Sequence, residues 1–262
     1  MREIRLYDSL TGQLVPVSAG DAIRVEVRNP PNLSDGGVDV TSTRPLVLFS
    51  FLERFLQREG FGTKFLFDSP TGEDMLYELS EGEELGAPDS SADSGDYDHD
   101  AEMSLLEVSR SDVDRWVNVC FGAGRDGERW EPVSPDERVL LSDALERFGH
   151  QAVALYLLGT HYSLPLGDAS TGLATGSKNA VRIREAAKTI MPDQPSPPDM
   201  RHYMEAFRDA LANDLDTPLA FVVMFEWVLE AERRGGEVGD NDLRVMLEVL
   251  ELDDLAAPVG AS

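Results

Sequence analysis

Between residues 21 and 69 the chain reads strand, helix, strand, and that order constrains the fold more than any other feature. The segment "DAIRVEVRN" (21–29) alternates apolar and polar side chains, the period of two that marks a strand. "PLVLFSFLERFLQREGFG" (45–62) then places apolar residues at helical spacing, with Gly60 or Gly62 supplying the stop. "TKFLFDS" (63–69) is a second short strand. Two strands joined through a helix pair in parallel, because a helical crossover returns the chain to the end from which it left. "DRWVNVCFGAG" (114–124) adds a further strand that ends in glycine.

Helices dominate the chain from there to its C-terminus. In "GERWEPVSPDERVLLSDALERFG" (127–149), Ser134, Pro135 and Glu137 form a capping signature. "HQAVALYLLGTHYSLPL" (150–166) is an apolar helix closed by Gly159 and Pro165, with His161 and Tyr162 in a structural role beyond its end. "TGLATGSK" (171–178) resembles a phosphate loop but lacks its spacing, so it reads as a loop leading into an amphipathic helix over 176–191. After the breaker "PSPP" (195–198), three more helical segments complete the chain. Asn213 and Asp214 punctuate the first, and Asp216-Thr217-Pro218 caps the next. Trp227 and the Phe-Val-Val-Met-Phe run before it form bundle core, unless an exposed part of that helix buries a partner helix.

Charge limits the function classes. The 262 residues carry 49 acidic and 23 basic side chains, a formal net charge of −26. Lys64, Lys178 and Lys188 are the only lysines. Such a surface repels polyanions, so tRNA and DNA are disfavoured partners. Residues 73–102 hold twelve acidic side chains and no Lys or Arg, the composition of a solvated connector. One cysteine, Cys120, excludes an internal disulfide and any multi-thiolate metal site, and a buried inert thiol is expected there. The four histidines lack metal-ligand spacing. The N-terminus has no signal-peptide apolar region, and the longest apolar run, "LAFVVMF" (219–225), is too short to span a bilayer. A cytoplasmic protein with no membrane association is expected.

Three stretches together resemble cysteinyl-tRNA synthetase, a class I aminoacyl-tRNA synthetase. They are "LYDSLTGQLVPVSAGDAIRVEVR" with "FSFLERFLQREGFGTKFLF", then "ALERFGHQAVALYLLGTHYSLPL", then "FRDALANDLDTPLA". The resemblance covers most of residues 3–68 and 114–250. It implies an α/β fold: a Rossmann-like core, a parallel sheet with flanking helices, followed by an α-helical bundle domain. On that reading residues 1–72 are the first half of the core and 73–110 an acidic connector in place of the family's insertion. Residues 111–166 are the second half, and 167–262 the helical bundle. No segment matches the family's anticodon-binding end.

The residues that carry the family's chemistry are replaced. Where the resemblance places the first zinc-binding Cys, this chain has Arg28, so zinc is not expected. The H-I-G-H motif, which stabilises the triphosphate, corresponds to Asp39, Val40, Thr41 and Ser42, followed by the retained Arg44. Asp39 sets a negative charge where a polyphosphate would lie, and ATP binding is disfavoured. Thr41 and Ser42 serve as donors to a ligand or, more simply, as caps of the next helix. The K-M-S-K-S loop corresponds to Trp130, Glu131, Pro132, Val133 and Ser134, without either lysine. Losing one such donor costs about 100-fold or more in rate. The expectation is therefore a degenerate relative without aminoacylation chemistry, acting as a regulatory or structural partner of another protein or as a homo-oligomer. The alternative is a rewired ATP-dependent amino-acid ligase or transferase, or a small-molecule sensor. Its pocket would be lined by Arg28, Asp39, Thr41, Ser42, Arg44, Trp130 and Glu131.

Overall fold

The computed structural model describes residues 2–18, 21–27, 37–61, 64–68, 115–126, 130, 138–235 and 237–255. Arg28, Glu131, the capping signature at Ser134 to Glu137 and the acidic connector lie outside them.

The parallel pairing expected from the strand–helix–strand order is present. Strand β3 (Asp21–Val27) is the centre of a three-stranded parallel sheet, flanked by β4 (Lys64–Asp68) and β5 (Arg115–Phe121). Ile23 stands opposite both Phe65 and Val117, and Glu26 opposite Cys120. The period of two gives the two central strands unequal faces. Ile23, Val25, Val27, Val117, Val119 and Phe121 are buried, whereas Arg24, Glu26, Trp116, Asn118 and Cys120 are half-buried. A hairpin, β1 (Arg5–Asp8) paired antiparallel with β2 (Gln13–Pro16), lies beside β5, where the Ser9 amide donates to the Asn118 carbonyl at 2.7 Å.

Helix α1 (Arg44–Arg58) follows a 3-10 turn, Val40–Thr43. Its apolar face, including Leu48, Phe51, Leu52 and Phe55, joins the sheet's apolar side chains in one core. Gly60 ends it with φ +82°. The Phe61 amide reaches back to the Leu56 carbonyl at 2.9 Å and the Gly60 amide to Gln57 at 3.0 Å, the paired bonds of a Schellman close.

The remaining α-helices among the described residues are α2 (Leu141–Phe148), α3 (His150–Leu158), α4 (Ala169–Ala187), α5 (Arg201–Ala212), α6 (Thr217–Arg234) and α7 (Asn241–Val249). Helix α4 corrects the reading of residues 171–178 as a loop. Asp168 caps the helix early, its carboxylate accepting from the Thr171 amide at 2.8 Å. Two glycines inside the helix let α3 approach: a methyl group at Gly172 would lie 2.2 Å from Tyr156 Cδ2, and one at Gly176 2.4 Å from the Ala152 carbonyl. The glycines serve packing, not a turn. The helix ends at Ala187, four residues before the expected limit.

Asp216 caps α6 as expected, accepting from the Leu219 amide at 3.0 Å, with Pro218 in the first turn. Trp227 is fully buried. The core that contains the sheet and α1 continues through α5, α6 and α7. Among the described residues no helix is long and apolar enough to cross a membrane.

Candidate functional site

In parallel α/β sheets, ligands bind beyond the carboxyl ends of the strands. Two separate groups of residues follow these strands in the chain: the turn into α1, after β3, and the loop Gly122 to Asp126, after β5.

The first group holds the H-I-G-H-like positions. Asp39 is the N-cap of the 3-10 turn. Its Oδ1 accepts from the Thr41 amide at 2.9 Å and from the Thr41 hydroxyl; its Oδ2 accepts from the Val139 amide at 3.2 Å. The Ser42 hydroxyl donates to the Asp39 carbonyl at 2.6 Å. Backbone bonds on both sides, Val40 to Val139 and Leu141 to Val38, fasten the turn to the start of α2. Asp39, Thr41 and Ser42 therefore satisfy one another and the local backbone. A carboxylate at the opening of a helical turn is also where the backbone dipoles favour negative charge.

Arg44 is 1% exposed. Its Nε donates to the Leu157 carbonyl at 3.0 Å, its Nη1 to Leu164 at 2.7 Å, and its Nη2 to Thr160. These carbonyls lie at and just beyond the end of α3, where backbone acceptors lack helical partners. Burial lowers the guanidinium pKa to about 10, so the group is charged at neutral pH. The Trp130 ring stacks against it, 5.5 Å from centroid to Cζ. Of the expected pocket residues, Arg44 and Trp130 are together, and Asp39, Thr41 and Ser42 form a separate knot.

The second group centres on Asp214, which is 2% exposed. Its Oδ1 accepts from the Tyr7 amide at 2.7 Å and the Tyr162 hydroxyl at 2.5 Å; its Oδ2 accepts from Arg125 Nη2 at 2.5 Å. His161 Nε2 lies 3.0 Å from the Asp214 carbonyl. A carbonyl can only accept, which assigns the proton to Nε2 and leaves Nδ1 to accept from Ser163. Burial lowers the His161 pKa against the opposing pull of the Asp214 carboxylate, and the Tyr162 hydroxyl is pushed up by burial and by that carboxylate. Asp214 and Leu215 hold φ of +63° and +52°, the turn in which Asn213-Asp214 separates α5 from α6.

A cavity of about 110 Å³ opens beside this network, with Tyr7, Ser9, Cys120, Gly124, Arg125 and Ser163 among its walls. Cys120 is half-buried rather than buried as expected, because its place on β5 points away from the apolar face. None of Asp39, Thr41, Ser42 and Arg44 lines the cavity. Among the described residues, no three His, Cys, Asp or Glu side chains group to hold a metal ion.

Tyr7, His161-Tyr162 and Asp214 each come from one of the three stretches that resemble the synthetase family, and the fold brings them into contact. Sequence comparison points the same way. The Cysteine--tRNA ligase of Aromatoleum aromaticum is 32% identical over 113 residues, 43% of this chain and 24% of that protein. That of Azotobacter vinelandii is 27% identical over 149 residues, 56% of this chain and 30% of the ligase. The chain is a distant relative of the cysteine–tRNA ligases. It spans about a quarter of the length of its first such matches, such as the Legionella pneumophila (strain Corby) protein, 24% identical over 110 residues. No family model matches this ligase relative. Among solved structures it is loosely similar to the agnB2 LeuRS of Agrobacterium radiobacter K84 in complex with tRNA and LeuAMS. That likeness has a TM-score of 0.40 and 16% identity, over 60% of this chain and 23% of that one. Sequence reasoning missed Asp214 and Arg125 as parts of a site. Asp214 stood in a recognisable stretch, but nothing local shows that its carboxylate faces residues 52 and 207 positions away.

Proposed function

We propose that this chain is a cysteine–tRNA ligase relative that has lost aminoacylation and acts as a non-catalytic partner of another protein. On this reading its parallel sheet belongs to a Rossmann-like core, the helices from residue 167 onward form the family's bundle domain, and neither zinc nor ATP is used. One observation carries the proposal. At the turn where the resemblance places the triphosphate, the chain's own Asp39 carboxylate takes the Thr41 and Val139 amides. An incoming phosphate would have to displace that carboxylate and withstand its charge. The retained Arg44 supports the same reading, because carbonyls of its own chain take its donors.

The test is ATP–pyrophosphate exchange on the purified chain with each of the twenty amino acids, alongside cysteine transfer to tRNA. Exchange at background is expected throughout. Robust exchange with any amino acid overturns the proposal.

A further inference from the structure

The outer face of α6 is laid out to receive a helix. Leu219, Val222, Glu226, Leu229 and Arg233 succeed one another at steps of three, four, three and four residues, the repeat with which one helix packs along another. All five face solvent. The three aliphatic members expose 47%, 52% and 48% of their surface, while Met224, Trp227 and Val228 on the helix's inner side are buried. An open groove of about 660 Å³ runs between this seam and α5, its walls including Tyr203, Ala206, Val223 and Leu229. Leu229 lines that groove, and Leu219 and Val222 continue the exposed aliphatic row along the same face of α6, a patch rather than scattered exposure.

Charge selects the occupant. Glu226 stands at the centre of the seam with no ion-pair partner among the described residues, whereas Arg233 is held by Glu230 at 2.6 Å. The whole chain carries −26, so a second copy would approach against its own field. A cationic helix would be drawn in and would find Glu226 free to pair.

We propose that this face docks an amphipathic helix of another protein, apolar on one side and flanked by Lys or Arg, with one of those cations opposite Glu226. The inference rests on the non-catalytic reading above and names the class of partner it requires.

The test is fluorescence anisotropy of the full chain with two synthetic helical peptides that share a leucine face. One carries Lys and Arg on its flanks and the other Glu and Asp. The basic peptide is expected to bind at least about tenfold more tightly. Val222→Asp and Leu229→Asp should each weaken it about tenfold or more, and Glu226→Lys should narrow the preference between the peptides. The three positions face solvent, so unchanged melting temperatures will show that the variants are folded. Equal affinity for both peptides, or binding of neither, overturns the proposal. So does self-association in sedimentation that Leu229→Asp abolishes. Exchange assays on the same preparation separate the two claims: pyrophosphate exchange removes the non-catalytic reading whatever the peptides do, and failed binding without exchange removes the seam alone.

Discussion

Asp214 shows how one side chain can hold distant segments together. A buried carboxylate is costly unless its oxygens are met by donors, and here a backbone amide, a phenol and a guanidinium meet them. Asp214→Ala would strand the Tyr162 hydroxyl and the Tyr7 amide, and we expect a loss of about 3 kcal/mol in urea unfolding. Arg125 is about half exposed, so Arg125→Ala should cost less, about 1 kcal/mol. An equal cost for the two variants would mean that the ion pair, not the hydrogen-bonded carboxylate, holds the seam. His161 adds a pH dependence. Its pKa is lowered from 6.5 by burial, so the unfolded chain binds a proton that the folded chain resists. Stability is therefore lost as pH falls from about 6.5 through the lowered value, and recovered as pH rises. Urea midpoints taken from about pH 5 to about pH 7 should rise in the parent and rise less in His161→Gln. Identical slopes would exclude His161 as a source of that dependence.

Helices and strands were legible where their signal is local. The period of two in β3, the helical spacing in α1 and the cap at Asp216 act within a few residues, and each is where its pattern puts it. Helix α4 was misread at its start because its glycines answer to another helix. Gly172 and Gly176 lower intrinsic helix propensity, so the segment looks like a loop until α3 lies against it. This makes a prediction that runs against propensity. Gly176→Ala should gain about 1 kcal/mol in an isolated helix. In the folded protein the new methyl would meet the Ala152 carbonyl at 2.4 Å, and backbone cannot rotate away. The net expectation is a destabilisation of about 1–3 kcal/mol, read as a lowered melting temperature. A raised melting temperature would mean that α3 and α4 can separate at little cost.

Across the whole molecule, ancestry was readable while the use of inherited positions was not. Asp39 and Arg44 could be aligned with a motif, but the segments their side chains would meet, Val139 and the end of α3, lie about a hundred residues further on. Composition, in contrast, speaks for the whole molecule directly. A charge of −26 on 262 residues opposes compaction by self-repulsion. The exposed ion pairs offset little of it, since pairs such as Lys188–Glu185 and Arg182–Glu232 contribute about 0–1 kcal/mol each. Salt weakens both effects, and the larger should decide the sign. Raising NaCl from about 0.01 M to about 0.15 M shortens the screening length from about 30 Å to about 8 Å, enough to decouple charges across the molecule while adjacent pairs keep most of their attraction. The melting temperature should therefore climb by several degrees, with most of the gain below about 0.2 M, where screening changes fastest. Sucrose, which strengthens burial without screening, should not reproduce that early saturation. A melting temperature that falls over the same range would show that the paired charges outweigh the net repulsion.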